Sequence, residues 1–294
     1  MKLIDLRFAR LARKALLTLA LPAALVVPLG SCAVYNEECA RFMEDPDGVA
    51  GYLGGDVSIA RDQVRLHDNA IGQLVADAYY NAFNAQSADR LPKAAIVNGG
   101  AIREDGVCEA RTILSKGALK RKVLRDILPF DNRVILTTIT HKNLKRVLEH
   151  GMANYSTRIP PGSYLQVSGI RVQVDCSKPA EELDSSNNLI KSGERVQSIR
   201  LRVRGCSLPN EEDCYGEPID MMSDEEIYMA LDSYLFSGGD KFTGFGAEKG
   251  AAGSFNFEVV AQYFSETYPE ERPLAQDAQE RVTLVGCGVA EGTN

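Results

Sequence analysis

Between residues 69 and 83 the apolar side chains Ile71, Leu74, Val75, Ala78, Tyr79 and Ala82 recur three or four positions apart, which predicts a helix buried along one face. Asp68 or Asn69 is placed to cap its first turn. Asn143 to Glu149 repeats the helical spacing with Leu144, Val147 and Leu148 inward, and Phe257 to Phe264 predicts a third helix. Elsewhere the period is two. Ile170, Val172 and Val174 alternate with Arg171, Gln173 and Asp175, a strand with one wet face, and Ile199, Leu201 and Val203 repeat it. Ala94 to Val97, Val134 to Ile139, Ile227 to Leu231 and Val282 to Val285 are short apolar runs that predict further strands. Strands and helices mix without strict alternation, so the pattern predicts an α/β (α+β) sandwich with a mixed sheet and packed helices.

The N-terminus has a different pattern. Lys2, Arg7, Arg10, Arg13 and Lys14 precede an apolar run from Ala15 to Val27, which Pro28 ends before it is long enough to span a bilayer. Residues 1–31 therefore read as an export signal. The run closes on Leu29-Gly30-Ser31-Cys32, which resembles a bacterial lipoprotein signal and implies lipidation of Cys32, with the protein exported and anchored in the cell envelope, on the periplasmic or outer-membrane side. A plain secretory signal is the alternative. Residues 32–56 are mixed and rich in glycine and read as a tether, 57–285 as the folded domain and 286–294 as a tail.

Seven cysteines are an odd number for an exported protein. Setting Cys32 aside leaves Cys39, Cys108, Cys176, Cys206, Cys214 and Cys287, enough for three disulfides in an oxidising compartment. Cys206 and Cys214 flank a loop-like stretch and are the expected pair; the other four allow three pairings that sequence does not rank. With no Cys-x-x-Cys and three scattered histidines, a zinc site is not expected. Removing the signal's net +4 from the formal −7 leaves about −11, a poor balance for binding nucleic acid but compatible with small anions held by local arginines.

Candidate chemistry centres on Ile96 to Arg103, where an apolar strand runs into a Gly-Gly turn and out to an arginine. Gly99 and Gly100 permit close approaches that a Cβ would block, so Asn98 and Arg103 are placed to face one small ligand at the strand's end. In isolation the same run is an ordinary turn beside a solvated arginine. Other motifs change that balance. Arg65-Leu-His-Asp68, Asn69-Ala-Ile-Gly72-Gln-Leu-Val-Ala-Asp77, Val97-Asn-Gly-Gly-Ala-Ile-Arg103, Leu128-Pro-Phe130-Asp-Asn132, Tyr164-Leu-Gln-Val-Ser-Gly169 and Tyr234-Leu-Phe-Ser-Gly-Gly-Asp240-Lys-Phe242 follow in that order. Together they resemble the C-terminal, substrate-binding domain of the 5'-nucleotidase family, over Val57 to Phe245 and toward Val285.

The resemblance implies a nucleotide's base held between Phe130 and Tyr234 and a ribose on Asp240. Asn98, Arg103 and Arg65 would line the rest, with Gly99, Gly100, Gly238 and Gly239 in the two Gly-Gly turns. The chemistry is consistent, since a flat base gains from two π faces, a carboxylate accepts from vicinal hydroxyls, and guanidinium forks suit phosphate. Two stacking contacts of roughly 1–3 kcal/mol each support about millimolar to micromolar binding. The sequence departs from the family at Tyr234 (usually Phe), Asp68 (Glu), Gln73 (Asn) and Ala101 (Gly), which bears on fine specificity. Each residue also has an ordinary reading: core aromatics for Phe130 and Tyr234, a surface ion pair for Arg65 and Asp240, a turn for Asn98.

In full-length members, hydrolysis belongs to a separate N-terminal metallophosphatase domain with two metal ions on Asp, His and Asn ligands. His67, His141 and His150 do not assemble into such a set, and no room for another domain is expected between Cys32 and the first motif. No cofactor is expected in this chain, divalent metals entering only with a separate catalytic domain. Three functions follow: a lipid-anchored nucleoside- or nucleotide-binding module without hydrolysis of its own; the substrate-binding subunit of a split 5'-nucleotidase, partnered by a metallophosphatase chain; or a structural envelope lipoprotein with a decayed pocket.

Overall fold

The computed structural model describes residues 45–156, 158–208, 210–245 and 251–288. The export signal, Cys32 and Cys39 lie outside the described residues. Regular structure begins with β1 (Val49–Leu53) and β2 (Val57–Ser58), followed by helices α1 (Arg61–Leu66) and α2 (Ala70–Asn81) and strand β3 (Ala94–Asn98). Next come β4 (Ile113–Leu114), β5 (Gly117–Lys120), α3 (Arg121–Ile127), β6 (Arg133–Thr140), α4 (His141–Ala153), β7 (Leu165–Ser168) and β8 (Ile170–Asp175). The chain continues through β9 (Glu182–Leu183), β10 (Leu189–Lys191), β11 (Val196–Arg202), β12 (Tyr215–Pro218), β13 (Glu226–Asp232), α5 (Ser233–Phe236), β14 (Ala251–Phe255), α6 (Asn256–Thr267) and β15 (Val282–Val285).

The centre is a five-stranded mixed sheet in the order β14-β6-β13-β3-β7, in which β13 and β3 run parallel and the other pairs antiparallel. It is covered on both faces, which explains why its strands are apolar runs rather than alternations. Along β3, Ala95 and Val97 join one buried cluster with α2, α6 and β1, while Ala94 and Ile96 join the other with α4 and the second sheet. That second sheet, in the order β12-β11-β8-β15, is one-sided, and there the period-two pattern was legible. Asn69 caps α2, accepting from the Ile71 and Gly72 amides at 3.0 and 3.2 Å. Asp68 instead accepts from the Arg281 and Val282 amides and ties β15 to the start of α2. Among the described residues no helix is long and apolar enough to cross a membrane.

Three expectations need correction. Part of the presumed tether is strand β1, which pairs with β5 and buries Ala50 and Leu53 in the core. Val203 lies beyond the end of β11 and is exposed, because the chain turns away at Arg202. The helix expected over Asn143 to Glu149 is longer, with α4 running from His141 to Ala153, and its His141, Glu149 and His150 are buried along with the apolar face. The expected Cys206–Cys214 disulfide is present, and Cys176 pairs with Cys287, so the presumed tail is fastened to the end of β8. Cys108 is disulfide-bonded as well.

Candidate functional site

The sheet brings four chain segments to one end. Because β3 and β13 are parallel neighbours, their last residues Asn98 and Asp232 point the same way, and ligand clefts favour the carboxyl ends of such strands. β6 is antiparallel to β13, so the segment entering it, with Phe130 and Asn132, arrives at that same end. The segment entering β7 does likewise, since Leu165 lies opposite Asn98. Between them is a cleft of about 380 Å³ lined by Arg65, Asn98, Gly100, Ala101, Arg103, Phe130, Asn132, Gly162, Tyr234 and Asp240. All six polar and aromatic candidates line it. Gly99, Gly238 and Gly239 are not among its lining residues and act through the backbone.

Gly99 sits where α1 crosses the turn, and a Cβ there would lie 2.5 Å from the Val64 carbonyl oxygen. At Gly239 it would lie 2.6 Å from the Tyr234 ring. Both turns therefore need glycine for packing. Phe130 and Tyr234 are 44% and 42% exposed, so neither is a core aromatic, and each keeps ring surface open to the cleft. Tyr234 is carried by α5, a single turn capped by Asp232, which accepts from the Leu235 amide at 2.9 Å.

Asp240 is held from several sides. Its Oδ2 accepts from Asn98 Nδ2 at 2.8 Å, and its Oδ1 accepts from the Tyr234 hydroxyl at 2.8 Å. The Asp240 amide in turn donates to the Tyr234 hydroxyl oxygen at 3.1 Å. Asp240 has φ 49°, a left-handed backbone that a non-glycine residue adopts at a cost of about 1–2 kcal/mol, so these bonds hold a strained turn in place. Each carboxylate oxygen retains a free lone pair. The Tyr234 phenol is raised above its usual pKa by partial burial and by Asp240, which keeps it a donor.

Asn98 is buried, and its Oδ1 has no partner, leaving an acceptor at the cleft wall that a donor on a ligand would satisfy. The arginines differ. Arg103 is already bidentate to Asp105 at 3.0 and 2.7 Å, and its guanidinium carbon lies 6.0 Å from the Phe130 ring centre. Arg65 is half-buried, with its Nε unpartnered; burial and the neighbouring Arg61 and Arg103 lower its pKa, a repulsion that an incoming anion would relieve. Arg65 and Asp240 do not form the surface ion pair that sequence alone allowed. Asp68 and Gln73 also lie off the cleft: Gln73 exchanges hydrogen bonds with the Gln279 backbone at 2.5 and 2.9 Å. Those two departures concern the C-terminal segment and not the ligand wall.

Sequence reasoning missed Asn132 and Gly162 in the lining, and Asp232, His150 and Glu181 behind it. Asn132 lay inside a quoted motif; the others carried no local signal. Among the described residues no three His, Cys, Asp or Glu side chains gather in a way that could hold a metal ion, so the donor set of a two-metal centre does not fit these residues.

A family model described as "5'-nucleotidase, C-terminal domain" matches residues 49–247. The chain belongs to this family. The 5'-nucleotidase C-terminal domain found here is 26% identical over 188 residues to protein 5NUC of Lutzomyia longipalpis, covering 62% of this chain and 29% of that protein. It is 25% identical over 240 residues to a 5'-nucleotidase of Diplobatis ommata, covering 79% of this chain and 36% of that one. The chain thus spans about a third of the length of these relatives. The crystal structure of a 5'-nucleotidase precursor from Thermus thermophilus superposes with a TM-score of 0.63 at 22% identity, covering 86% of this chain and 42% of that chain. At that identity the likeness speaks for the fold.

Proposed function

We propose that the cleft binds a nucleoside or nucleotide, with the base between Phe130 and Tyr234 and the ribose hydroxyls on the free lone pairs of Asp240. The observation that carries the reading is the joint presence, in one cleft, of two open aromatic faces, a preoriented carboxylate and the unpartnered amide oxygen of Asn98. Arg65, with a free donor, is the phosphate-facing guanidinium; Arg103 is shared with Asp105. Calorimetric titration with adenosine, AMP and a UDP-sugar tests this. Expected dissociation constants are about millimolar to micromolar, with Phe130→Ala weakening binding about tenfold to a hundredfold. Equal silence from wild type and variant removes the proposal.

Hydrolysis by this chain alone is not part of the reading, because no donor set for a two-metal centre is found among its described residues. Purified protein with AMP and a divalent metal is expected to release no phosphate above background. A second reading makes the chain the substrate-binding subunit of a split nucleotidase; what favours it is that the matched structure from Thermus thermophilus has more than half of its length outside the match. Phosphate release on adding a separate metallophosphatase chain would select it. Export and lipid anchoring at Cys32 are supported by the Leu29-Gly30-Ser31-Cys32 sequence and by the disulfides, which suit an oxidising compartment. Fatty-acid labelling that disappears in Cys32→Ala is the expected result.

A further inference from the structure

Behind the cleft, and outside the residues that line it, the last turn of α4 abuts the Gly-Gly-Asp loop. His150 is buried there with both ring nitrogens engaged: Nε2 lies 2.8 Å from the Asp240 carbonyl oxygen and Nδ1 lies 2.8 Å from the carboxylate of Glu181, itself buried. Phe242 packs edge-on against the imidazole, 4.6 Å between ring centres. The other charged groups nearby are Arg146, one turn earlier on α4 and 3.9 Å from Glu181, and the Asp240 carboxylate, which is turned to Asn98 and Tyr234. Lys145 and Glu149 pair with each other.

A carbonyl oxygen only accepts, so Nε2 must carry a hydrogen, and a buried carboxylate at Nδ1 calls for a second. Only the imidazolium satisfies both. We infer that His150, held as an imidazolium by Glu181, is a positioning residue for Asp240: it anchors the left-handed backbone that aims the carboxylate into the cleft, and ligand affinity falls when it deprotonates. This rests on the proposed nucleoside site. Burial opposes the charge, but the bonds to Glu181 and to the Asp240 carbonyl outweigh it and raise the His150 pKa, so the fall comes on the alkaline side of its usual value. On deprotonation the remaining hydrogen stays on Nδ1, where the bond to a carboxylate is stronger. Nε2 then turns a lone pair toward the Asp240 carbonyl, and the loop loses that anchor.

Adenosine titrations of the full chain from about pH 5 to about pH 9 test the inference. Affinity is expected to weaken about tenfold with rising pH, the loss of one charge-assisted hydrogen bond. In Glu181→Gln the midpoint should move to lower pH while binding on the acid side persists. Asp232, which burial pushes up to about 6, would titrate in the same range, but Glu181 is not among the groups that shift it. Ligand-free nuclear magnetic resonance supplies the second readout: the amide signals of residues 238–242 should share a midpoint with the His150 imidazole. Wild-type affinity flat with pH, or a midpoint unmoved in Glu181→Gln, overturns the inference and leaves the nucleoside site standing. Absence of adenosine binding at every pH overturns the site itself, and the spectra then decide the positioning role. Loop signals that follow the imidazole support it; loop signals that ignore it overturn it.

Discussion

At the Gly-Gly-Asp turn the Tyr234 hydroxyl both donates to Asp240 Oδ1 and accepts from the Asp240 amide, so the ring that offers a face to the cleft also braces the carboxylate beside it. The two roles separate by mutation. Tyr234→Phe keeps the face and loses the brace, and is expected to weaken adenosine binding by about 1 kcal/mol, or roughly fivefold. Tyr234→Ala loses both and should cost about 2–4 kcal/mol in the same calorimetric measurement. Equal losses in the two variants would mean that the ring does not stack. This brace was half legible in the sequence: the tyrosine's need for a partner was evident, and Asp240 lay six positions away. His150 was illegible, because its partners Glu181 and Asp240 are 31 and 90 positions distant and nothing local marks it as more than a helix-end histidine.

Among the elements, α5 is the most exposed to pH. It is four residues long and depends on Asp232, whose carboxyl is fully buried and pushed up to about 6 by that burial, against the opposing pull of the Leu235 and Tyr234 amides. The unfolded carboxyl titrates near 4, so the folded state binds the proton more tightly. The stability this confers is complete below about pH 4 and is lost as pH rises through about 6, amounting to roughly 3 kcal/mol. An asparagine side chain can cap the turn as well as an aspartate, so Asp232→Asn should abolish that slope in urea unfolding measured at a series of pH values. A slope that survives assigns the titration to another group. At this scale β7, β12 and β14 gave no strand expectation, but α2, α4, α6 and the strands β3, β6, β8, β11, β13 and β15 were legible, because a buried face imposes its period on the chain. β1 was not: it is short, contains Gly51 and finds its partner β5 more than sixty positions later, so composition made it look like a tether.

For the whole molecule, the mixed α/β architecture and the family were readable from ordered motifs, whereas the layering depends on β3 meeting β13 across more than a hundred residues, which no local pattern announces. The Cys176–Cys287 disulfide closes a loop with a sequence separation of 111 and fastens the segment after β15 to the end of β8. Cys206–Cys214 spans a separation of only 8. On chain-entropy grounds, removing the first pair should lower stability by about 5 kcal/mol and the second by about 2–3 kcal/mol. Urea unfolding of Cys176→Ser/Cys287→Ser and Cys206→Ser/Cys214→Ser measures the difference, and the reverse ranking would contradict a loop-length origin.

Phe130 and Tyr234 hang from adjoining strands, since β6 and β13 are in register from Glu226 opposite Thr140 to Asp232 opposite Val134, and the Arg133 amide donates to Ser233 Oγ at 3.0 Å where the two segments leave the sheet. Phe130 sits three residues before β6 and Tyr234 two residues after β13, so the paired strands bring the two ring-bearing segments to one side of the cleft. If the two rings hold a base as proposed, the jaw is a thickness gauge. Under the proposed reading it admits one-ring and two-ring heterocycles alike, because both are one atom thick, and turns away puckered or bulky rings, leaving the outline of the guest to be checked by Asn98 and Asn132 at the slot's floor and rim.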